Sequence, residues 1–453
     1  MLISFRGMLL VIVILLHSWI LFNIVYMWPI LLLTTLKRLT NDRAVRPLFS
    51  VLNQLSNYIK WIWFMFLTFL FETILGIRFA YTVVDDYGEK HMKSHFLTAY
   101  DRGKGIEVHP DLDKIFSPPS KSGKVKIILL NHHSRVDWLY FAIFLIRSRA
   151  FWTLRFILKN DLRHIPVMGW CMEVFGFMFL SRSWESDKAY LQNMINYNKT
   201  MNEACTLVIF PEGTDLSRSN IERSQAFARV KGMPTFHHVL NPRTTGLIGI
   251  KNMIGPENIE EIVDCTIGYT YSAPRRRPNE ASLVDGSHSR KVHLLVRSHA
   301  FRFPTTKPNI DVGSGTLVPI DDDKFCGWIH DRFAEKEQLL SRFYRNSPIG
   351  YDAADVREVY GEHCAVESYD CDEYHANTAT SLCSFSLFLR EIRRKNSKIW
   401  WVRFVNSMFY CFLSIFSLWY VGWYILLLYC AIATIVFIVF LRAVKNLQQA
   451  LFL

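Results

Sequence analysis

Three common catalytic signatures are missing from the sequence. There is no Gly-x-Ser-x-Gly elbow, no His-Glu-x-x-His pair and no Walker loop. Their absence argues against a serine hydrolase built on that turn, a zinc hydrolase of that type and a nucleotide triphosphatase. Cysteine is sparse as well: the nine residues are scattered and none forms a Cys-x-x-Cys. Reduced, structural thiols are the default reading. His363, Cys364, Cys371, His375 and Cys383 lie loosely together in an acidic, loop-like stretch. Their spacing matches no zinc pattern, so no metal is assigned. No internal repeat is present.

What the chain has in quantity is apolar residues, 50% hydrophobic with 15% aromatic, and they are unevenly spread. Met8 to Leu36 is almost wholly apolar, broken by His17, Ser18, Asn23 and Pro29. It is long enough to cross a bilayer, which takes about 20 residues. It is also too long for a signal peptide and no small-x-small cleavage site follows, so a retained anchor is expected. Trp61 to Ile77 is a second, shorter block containing Glu72. A carboxylate at the bilayer centre costs about 3 kcal/mol, which places Glu72 at an interface or against protein. Phe404 to Leu441, with Gly422 near its middle, suits a two-helix hairpin, and Trp400, Trp401, Trp419 and Trp423 suit an aromatic belt.

The formal net charge is +12, which raises nucleic acid as a partner. The cations, however, flank the apolar segments. Lys37, Arg38, Arg43, Arg46 and Lys60 lie between the first two, and Arg390, Arg393, Arg394, Lys395, Lys398 and Arg403 precede the last. That placement fits attraction to anionic lipid headgroups, about 1 kcal/mol per residue near the surface, and argues for membrane lipids and no nucleic acid. The expected organisation is a membrane-anchor region over 1–78 (segments 8–36 and 61–77) and a catalytic domain over 79–345. A linker and basic juxtamembrane segment follow over 346–403, then the hairpin over 404–441 and a tail over 442–453. The side of the membrane stays open, since the positive-inside rule applied to the two basic loops gives conflicting placements.

Within the domain, Lys124 to Leu130 is an apolar, β-branched run that stops at Asn131-His132-His133-Ser134-Arg135-Val136-Asp137-Trp138. It reads as a buried strand that hands two imidazoles to a strand-to-helix corner, where α/β sheets place their chemistry. A histidine acts as general base when a carboxylate fixes its tautomer, and Asp137, five residues after His132, can do so across such a corner. His133 has tryptophan at the same offset. A bland alternative is that Asp137 or Ser134 simply caps the helix. Met172 to Leu180 reads as a strand ending at Ser181-Arg182, where a planar guanidinium suits phosphate or merely finishes a strand at the surface. Thr206 to Phe210 is another short strand, running into Pro211-Glu212-Gly213-Thr214-Asp215, a turn whose amides can face an anion. Val239 to Gly246 reads as a strand-to-loop junction, and Asp264 to Tyr271 and Lys291 to Arg297 as further strands. Helices are expected over 186–201, 221–230 and 328–343. The fold class is α/β, a mixed sheet flanked by helices, with N-terminal and C-terminal membrane-embedded helices.

Together, Asn131 to Asp137, Gly176 to Arg182 and Phe210 to Thr214 resemble, in order, three blocks of the glycerolipid acyltransferase family. Asp137-Trp138, Ser224, Phe227-Ala228, Leu240 to Gly246, Trp328 and Glu335-Lys336-Glu337 look like the lysocardiolipin and lysophosphatidylinositol acyltransferase branch. The resemblance spans about residues 120–345. The family's fourth block is not obvious; Val318-Pro319-Ile320 and Asn241-Pro242 are both candidates. The resemblance implies acyl transfer from acyl-CoA to a lysophospholipid, with no cofactor or metal and acyl-CoA as co-substrate. It gives His132 and Asp137 the catalytic roles. Arg182, Glu212, Gly213 and Thr214 are assigned to the acceptor, with Glu212 orienting Arg182 or the acceptor's glycerol. The expected setting is the endoplasmic reticulum membrane. Acylation of lysophosphatidic acid in de novo synthesis and an inactive lipid-binding scaffold are the alternatives.

Overall fold

Strands form where β-branched and aromatic residues cluster between turn formers. The computed structural model describes residues 5–23, 27–39, 42–88, 92, 97–101, 106–110, 112–165, 167–270, 279–301, 317–345, 350–370 and 423–444. Its strands are β1 (Arg78–Asp85), β2 (Leu97–Asp101), β3 (Ile106–Pro110), β4 (Val125–Leu130), β5 (Leu154–Lys159) and β6 (Met178–Leu180). They continue with β7 (Cys205–Ile209), β8 (Ile259–Thr270), β9 (Lys291–Phe301), β10 (Leu317–Val318) and β11 (Ala365–Asp370). Nine of them make one mixed sheet in the order β11-β1-β9-β8-β4-β7-β5-β6, with β10 beside β9, while β2 and β3 pair separately.

The centre of that sheet is parallel. β4 runs parallel to both β7 and β8, and β5 parallel to β7 and β6. Parallel strands covered on both faces read as continuous apolar runs, and Ile127 to Leu130 and Leu207 to Ile209 are all buried. One consequence matters for function: the exits of β4, β7, β5 and β6 all open on the same edge.

By contacts the chain divides into two units. The first comprises Met1–Met8, Leu70–Lys159 and Met178–Asn377 and holds the sheet; the second comprises Leu9–Phe69, Asn160–Phe177 and Thr378–Leu453. In the second, the long apolar run expected as one anchor is two helices, Phe5–Leu21 and Met27–Leu39. Pro29 stands in the first turn of the latter, where its missing N–H is tolerated and where it could not have continued a preceding helix. Trp63 Nε1 donates to Ser18 Oγ at 2.8 Å and Trp19 Nε1 to Thr434 Oγ1 at 2.8 Å, so the helix Trp423–Val444 shares this unit. Among the described residues no helix is long and apolar enough to cross a membrane. The first arm of the expected hairpin, 404–422, lies outside the described residues.

Three further readings change. Met172 to Leu180 is not one strand: Met168–Val174 is helical, Gly176 turns the chain at φ +74°, and only Met178–Leu180 is extended. Val239 to Gly246 contains no strand, and a helix begins at Thr244. The linker 346–403 contains a helix, Ala353–Tyr360, and β11, which pairs antiparallel with β1. β1 itself is not among the strands expected from the sequence. Glu72 is buried against protein, paired with Arg147.

The long helix Asp322–Arg345 packs on β8 through buried charge as well as apolar contact. Lys336, 0% exposed, reaches Asp264 Oδ1 at 2.7 Å and Thr266 Oγ1 at 3.2 Å. Breaking a buried pair by removing one partner leaves an uncompensated charge. Lys336→Met is therefore expected to lower stability by about 3–5 kcal/mol in denaturant unfolding. Adding Asp264→Leu should recover part of the loss, and equal stability of the single variant and parent would contradict this account.

Candidate active site

The site begins where β4 ends. Asn131, fully buried, replaces a backbone rung with its side chain: Oδ1 accepts from Ile267 N–H at 2.7 Å and Nδ2 donates to Ile267 C=O at 3.1 Å. The strand exit is thereby tied to β8, and the next residue, His132, is turned out of the sheet. Its ring packs at 4.5 Å against Phe210, at the exit of the neighbouring β7.

The corner brings His132 and Asp137 together. His132 Nδ1 lies 3.1 Å from Asp137 Oδ2, with 17% of the histidine side chain exposed and none of the aspartate's. Ser134 N–H donates to the same Oδ2 at 2.8 Å and the Tyr269 hydroxyl to Oδ1 at 2.5 Å. Burial pushes the Asp137 carboxyl up, opposed by its bonds to His132, Ser134 and Tyr269. Facing an acceptor-only carboxylate, Nδ1 carries the proton, which leaves Nε2 to meet a substrate hydrogen. The capping alternative is not realised: Val136 stands at the cap position with no side-chain bond, and Asp137 accepts from the Ser134 amide, which lies before the helix. His133 belongs to the core: it is 3% exposed and stacks on Tyr344 at 5.7 Å.

Tyr269 was not legible as part of the site. It sits on β8, fully buried, 132 positions from its partner. The available signal was that a tyrosine deep in a strand needs a hydroxyl partner, while a buried carboxylate needs more donors than its own corner supplies.

Glu212 is placed differently from the expectation. It is 2% exposed, and both oxygens accept from main chain, Oε1 from His132 N–H at 2.7 Å and Oε2 from Leu240 N–H at 2.9 Å. The side chain braces the exits of β4 and β7 against the loop at 240. Gly213 has φ +70°, the left-handed conformation that glycine adopts without strain. The Thr214 hydroxyl accepts from Asn220 Nδ2 at 3.0 Å, so it stabilises the turn.

Arg182 stands at the exit of β6 with its side chain exposed and φ +70°. Asp187 holds that conformation, accepting from Ser181 N–H and Arg182 N–H, each at 2.9 Å. β6 is three strands from β4 on the same edge, about 14 Å away at the usual inter-strand spacing. The structure thus puts Arg182 on the rim of the site and not in contact with the His132 cluster's buried carboxylates. The other expected blocks are structural. Glu337 accepts from His238 N–H at 2.7 Å and Val239 N–H at 3.1 Å, and Glu335 lies 2.6 Å from Arg332. Of the loose Cys/His group, His363 and Cys364 lie near Asp86, whose carboxylate is paired with Arg297 at 2.9 Å; Cys371, His375 and Cys383 lie outside the described residues.

Burial pushes Glu212 up to about 7, despite the two amides that favour its charged form. A carboxyl higher in the folded than in the unfolded chain, whose ordinary value is 4.5, adds stability that is complete below 4.5. That stability is lost as pH rises through about 7. Glutamine does not titrate, so the stability of the parent relative to Glu212→Gln should fall by roughly 3 kcal/mol between about pH 4.5 and 8. A pH-independent difference in unfolding free energy would remove the buried, titrating Glu212 from this description.

Residues 116–244 match the Acyltransferase family model. The chain is 33% identical over 243 residues to lysocardiolipin acyltransferase 1 of Danio rerio, covering 53% of this chain and 58% of that protein. It is 33% identical over 244 residues to lysophosphatidylinositol acyltransferase 10 of Caenorhabditis elegans, 53% and 57% of the two. Against probable 1-acyl-sn-glycerol-3-phosphate acyltransferase 5 of Arabidopsis thaliana it is 30% identical over 220 residues, 49% and 54%. The chain spans just over half the length of these relatives. The matched segment, residues 116–244, carries the exits of β4, β6 and β7, so the likeness to the Acyltransferase family falls on the part of the chain that holds the site.

Proposed function

We propose that the chain is an acyl-CoA-dependent acyltransferase that re-esterifies lysophospholipids, with lysophosphatidylinositol or lysocardiolipin as acceptor. The observation that carries this reading is His132, partly exposed at the exit of β4 and backed by the buried Asp137. The acceptor's glycerol oxygen attacks the thioester carbonyl while its proton passes to His132 Nε2. Collapse of the tetrahedral intermediate breaks the C–S bond, and the imidazolium returns the proton to the departing thiolate. An ester and a free thiol result. A positioned base contributes typically ~10²–10⁴-fold. Arg182 takes the acceptor's phosphate, which then lies over β5 and β7, between Arg182 and the base, beside the turn whose Gly213 N–H is held by Phe210 C=O at 3.0 Å. Glu212 holds that turn and His132 in register and touches no substrate.

The substrates are amphiphiles, and the helical unit has surface to match. Leu428, Ile432, Ile435 and Val439 are 62%, 53%, 61% and 61% exposed, along one face of their helix, and Ile12 and Leu15 are 52% and 48% exposed. These faces support embedding in a membrane, for which the endoplasmic reticulum is the proposed site. The Arabidopsis relative's name supports a second reading, acylation of 1-acylglycerol-3-phosphate.

Membranes carrying the parent or His132→Ala, given labelled oleoyl- or stearoyl-CoA and a panel of lysophospholipids, separate these readings. The parent should acylate lysophosphatidylinositol or lysocardiolipin ahead of lysophosphatidic acid and lysophosphatidylcholine, and the variant should lose at least about 10²-fold. Preference for lysophosphatidic acid would favour the second reading; equal transfer by both proteins would remove His132 from the chemistry. Tyr269→Phe should lower kcat about tenfold with KM unchanged, because it removes one donor from Asp137 without reaching the substrate. A change confined to KM would contradict that role.

A further inference from the structure

The helix Arg218–Lys231 follows directly on the turn at Gly213. Asn220, in its first turn, donates through Nδ2 to Thr214 Oγ1 at 3.0 Å and to Asp215 C=O at 2.8 Å. Its start is therefore fixed to the edge of the sheet on which His132 opens. Of its 14 residues only Asn220 and Ala228 are buried. Phe227 is 53% exposed and Val230 83%, the largest exposure of any bulky apolar side chain among the described residues. A single exposed apolar residue is unremarkable in a folded protein. Here the two are three positions apart, on one helical face, and Arg223 and Lys231 stand four positions to either side of Phe227, with Arg229 between. The one carboxylate of the helix, Glu222, is 3.1 Å from Arg218 at its far end. Its last seven residues, Gln225–Lys231, thus present two apolar side chains beside two cations and no acid, with Arg223 one turn back.

The same charge continues around the rim of the site. Arg135, 3.8 Å from Asp215, has 66% of its side chain exposed, and Arg182 and Arg243 are exposed as well. Apolar residues that would sink below a plane, flanked by cations that would lie in it, match a bilayer interface with phosphates outermost and acyl chains beneath. A second copy of the chain fits less well, since an isologous contact through this face would bring like charges together.

We infer that the helix Arg218–Lys231 docks on the surface of an anionic phospholipid bilayer through Phe227 and Val230, seating the His132 edge against the membrane. This surface is distinct from the apolar faces of the helical unit, and its test needs no turnover, so it stands or fails separately from acyl transfer. The full chain is reconstituted in nanodiscs as Val230→Cys and as Ser122→Cys, each labelled with a polarity-sensitive nitrobenzoxadiazole. Ser122 is exposed at the opposite edge of the sheet. The parent, carried through the same labelling, serves as blank.

Emission at position 230 should shift to the blue and rise roughly twofold when phosphatidylserine is added to phosphatidylcholine discs, with position 122 unchanged. High salt, or the combination Arg223→Gln, Arg229→Gln and Lys231→Gln, should return it to the level in pure phosphatidylcholine. Because all four substituted side chains are exposed, the salt series on the unaltered helix guards against a folding defect. An aqueous-like emission in both lipids, or equal changes at 230 and 122, would overturn the proposal. A rise that follows protein concentration and ignores phosphatidylserine would overturn it in favour of contact between copies.

Discussion

A carboxylate sealed from water has to find its hydrogen bonds inside the protein, and the site is built to meet that demand at Asp137. Three donors converge on it from three parts of the fold: Ser134 N–H from the corner itself, the His132 ring from the end of β4, and the Tyr269 hydroxyl from β8. An unpaired buried charge would cost several kcal/mol, so the strand exit, the start of the helix Asp137–Leu145 and the position of β8 are mutually fixed. The orientation of the imidazole is an outcome of satisfying the carboxylate. The same carboxylate sets the tautomer of the His132 ring, so the demand of packing becomes a chemical property.

Glu212 repeats the device one strand over. Its two oxygens gather amides from His132 and Leu240, joining segments that are adjacent in space and far apart in the chain. Parallel pairing of β4 with β7 puts their exits side by side, and the side chain then locks them. Arg182, three strands from β4, is held by another means: Asp187 fixes its backbone in a left-handed conformation, so the guanidinium leaves from a rigid base even though it is exposed. Function is thus distributed along one edge. The buried carboxylates hold geometry, and the exposed groups are open to solvent.

Much of this was legible in the residues. The uniformly apolar runs Ile127 to Leu130 and Leu207 to Ile209 announce strands of a doubly covered sheet, and five residues from His132 to Asp137 suit a corner and no helix. Other parts were hidden for physical reasons. The role of Glu212 is invisible because its partners are backbone amides, which every residue has. Tyr269 is invisible because nothing local marks which tyrosine meets which carboxylate. The run Met172 to Leu180 misleads because a short buried helix and a short buried strand share a composition, and only the positive φ of Gly176 divides them. β11 escapes because Ala365 to Asp370 is too polar to stand out; it is an edge strand, and edges need only one apolar face.

The position of β1 in the sheet carries a consequence for biosynthesis. β1 is the first strand of the chain, yet it pairs with β9 and β11, made about 200 and nearly 300 residues later. At ribosomal elongation rates of about 5–20 residues per second, β1 emerges on the order of ten seconds or more before either neighbour exists. During that interval both of its hydrogen-bonding edges stand open, in a segment, Phe79-Ala-Tyr-Thr-Val-Val84, rich in strand formers. Neither edge of β1 can be covered by its native neighbours until translation has supplied the rest of the sheet.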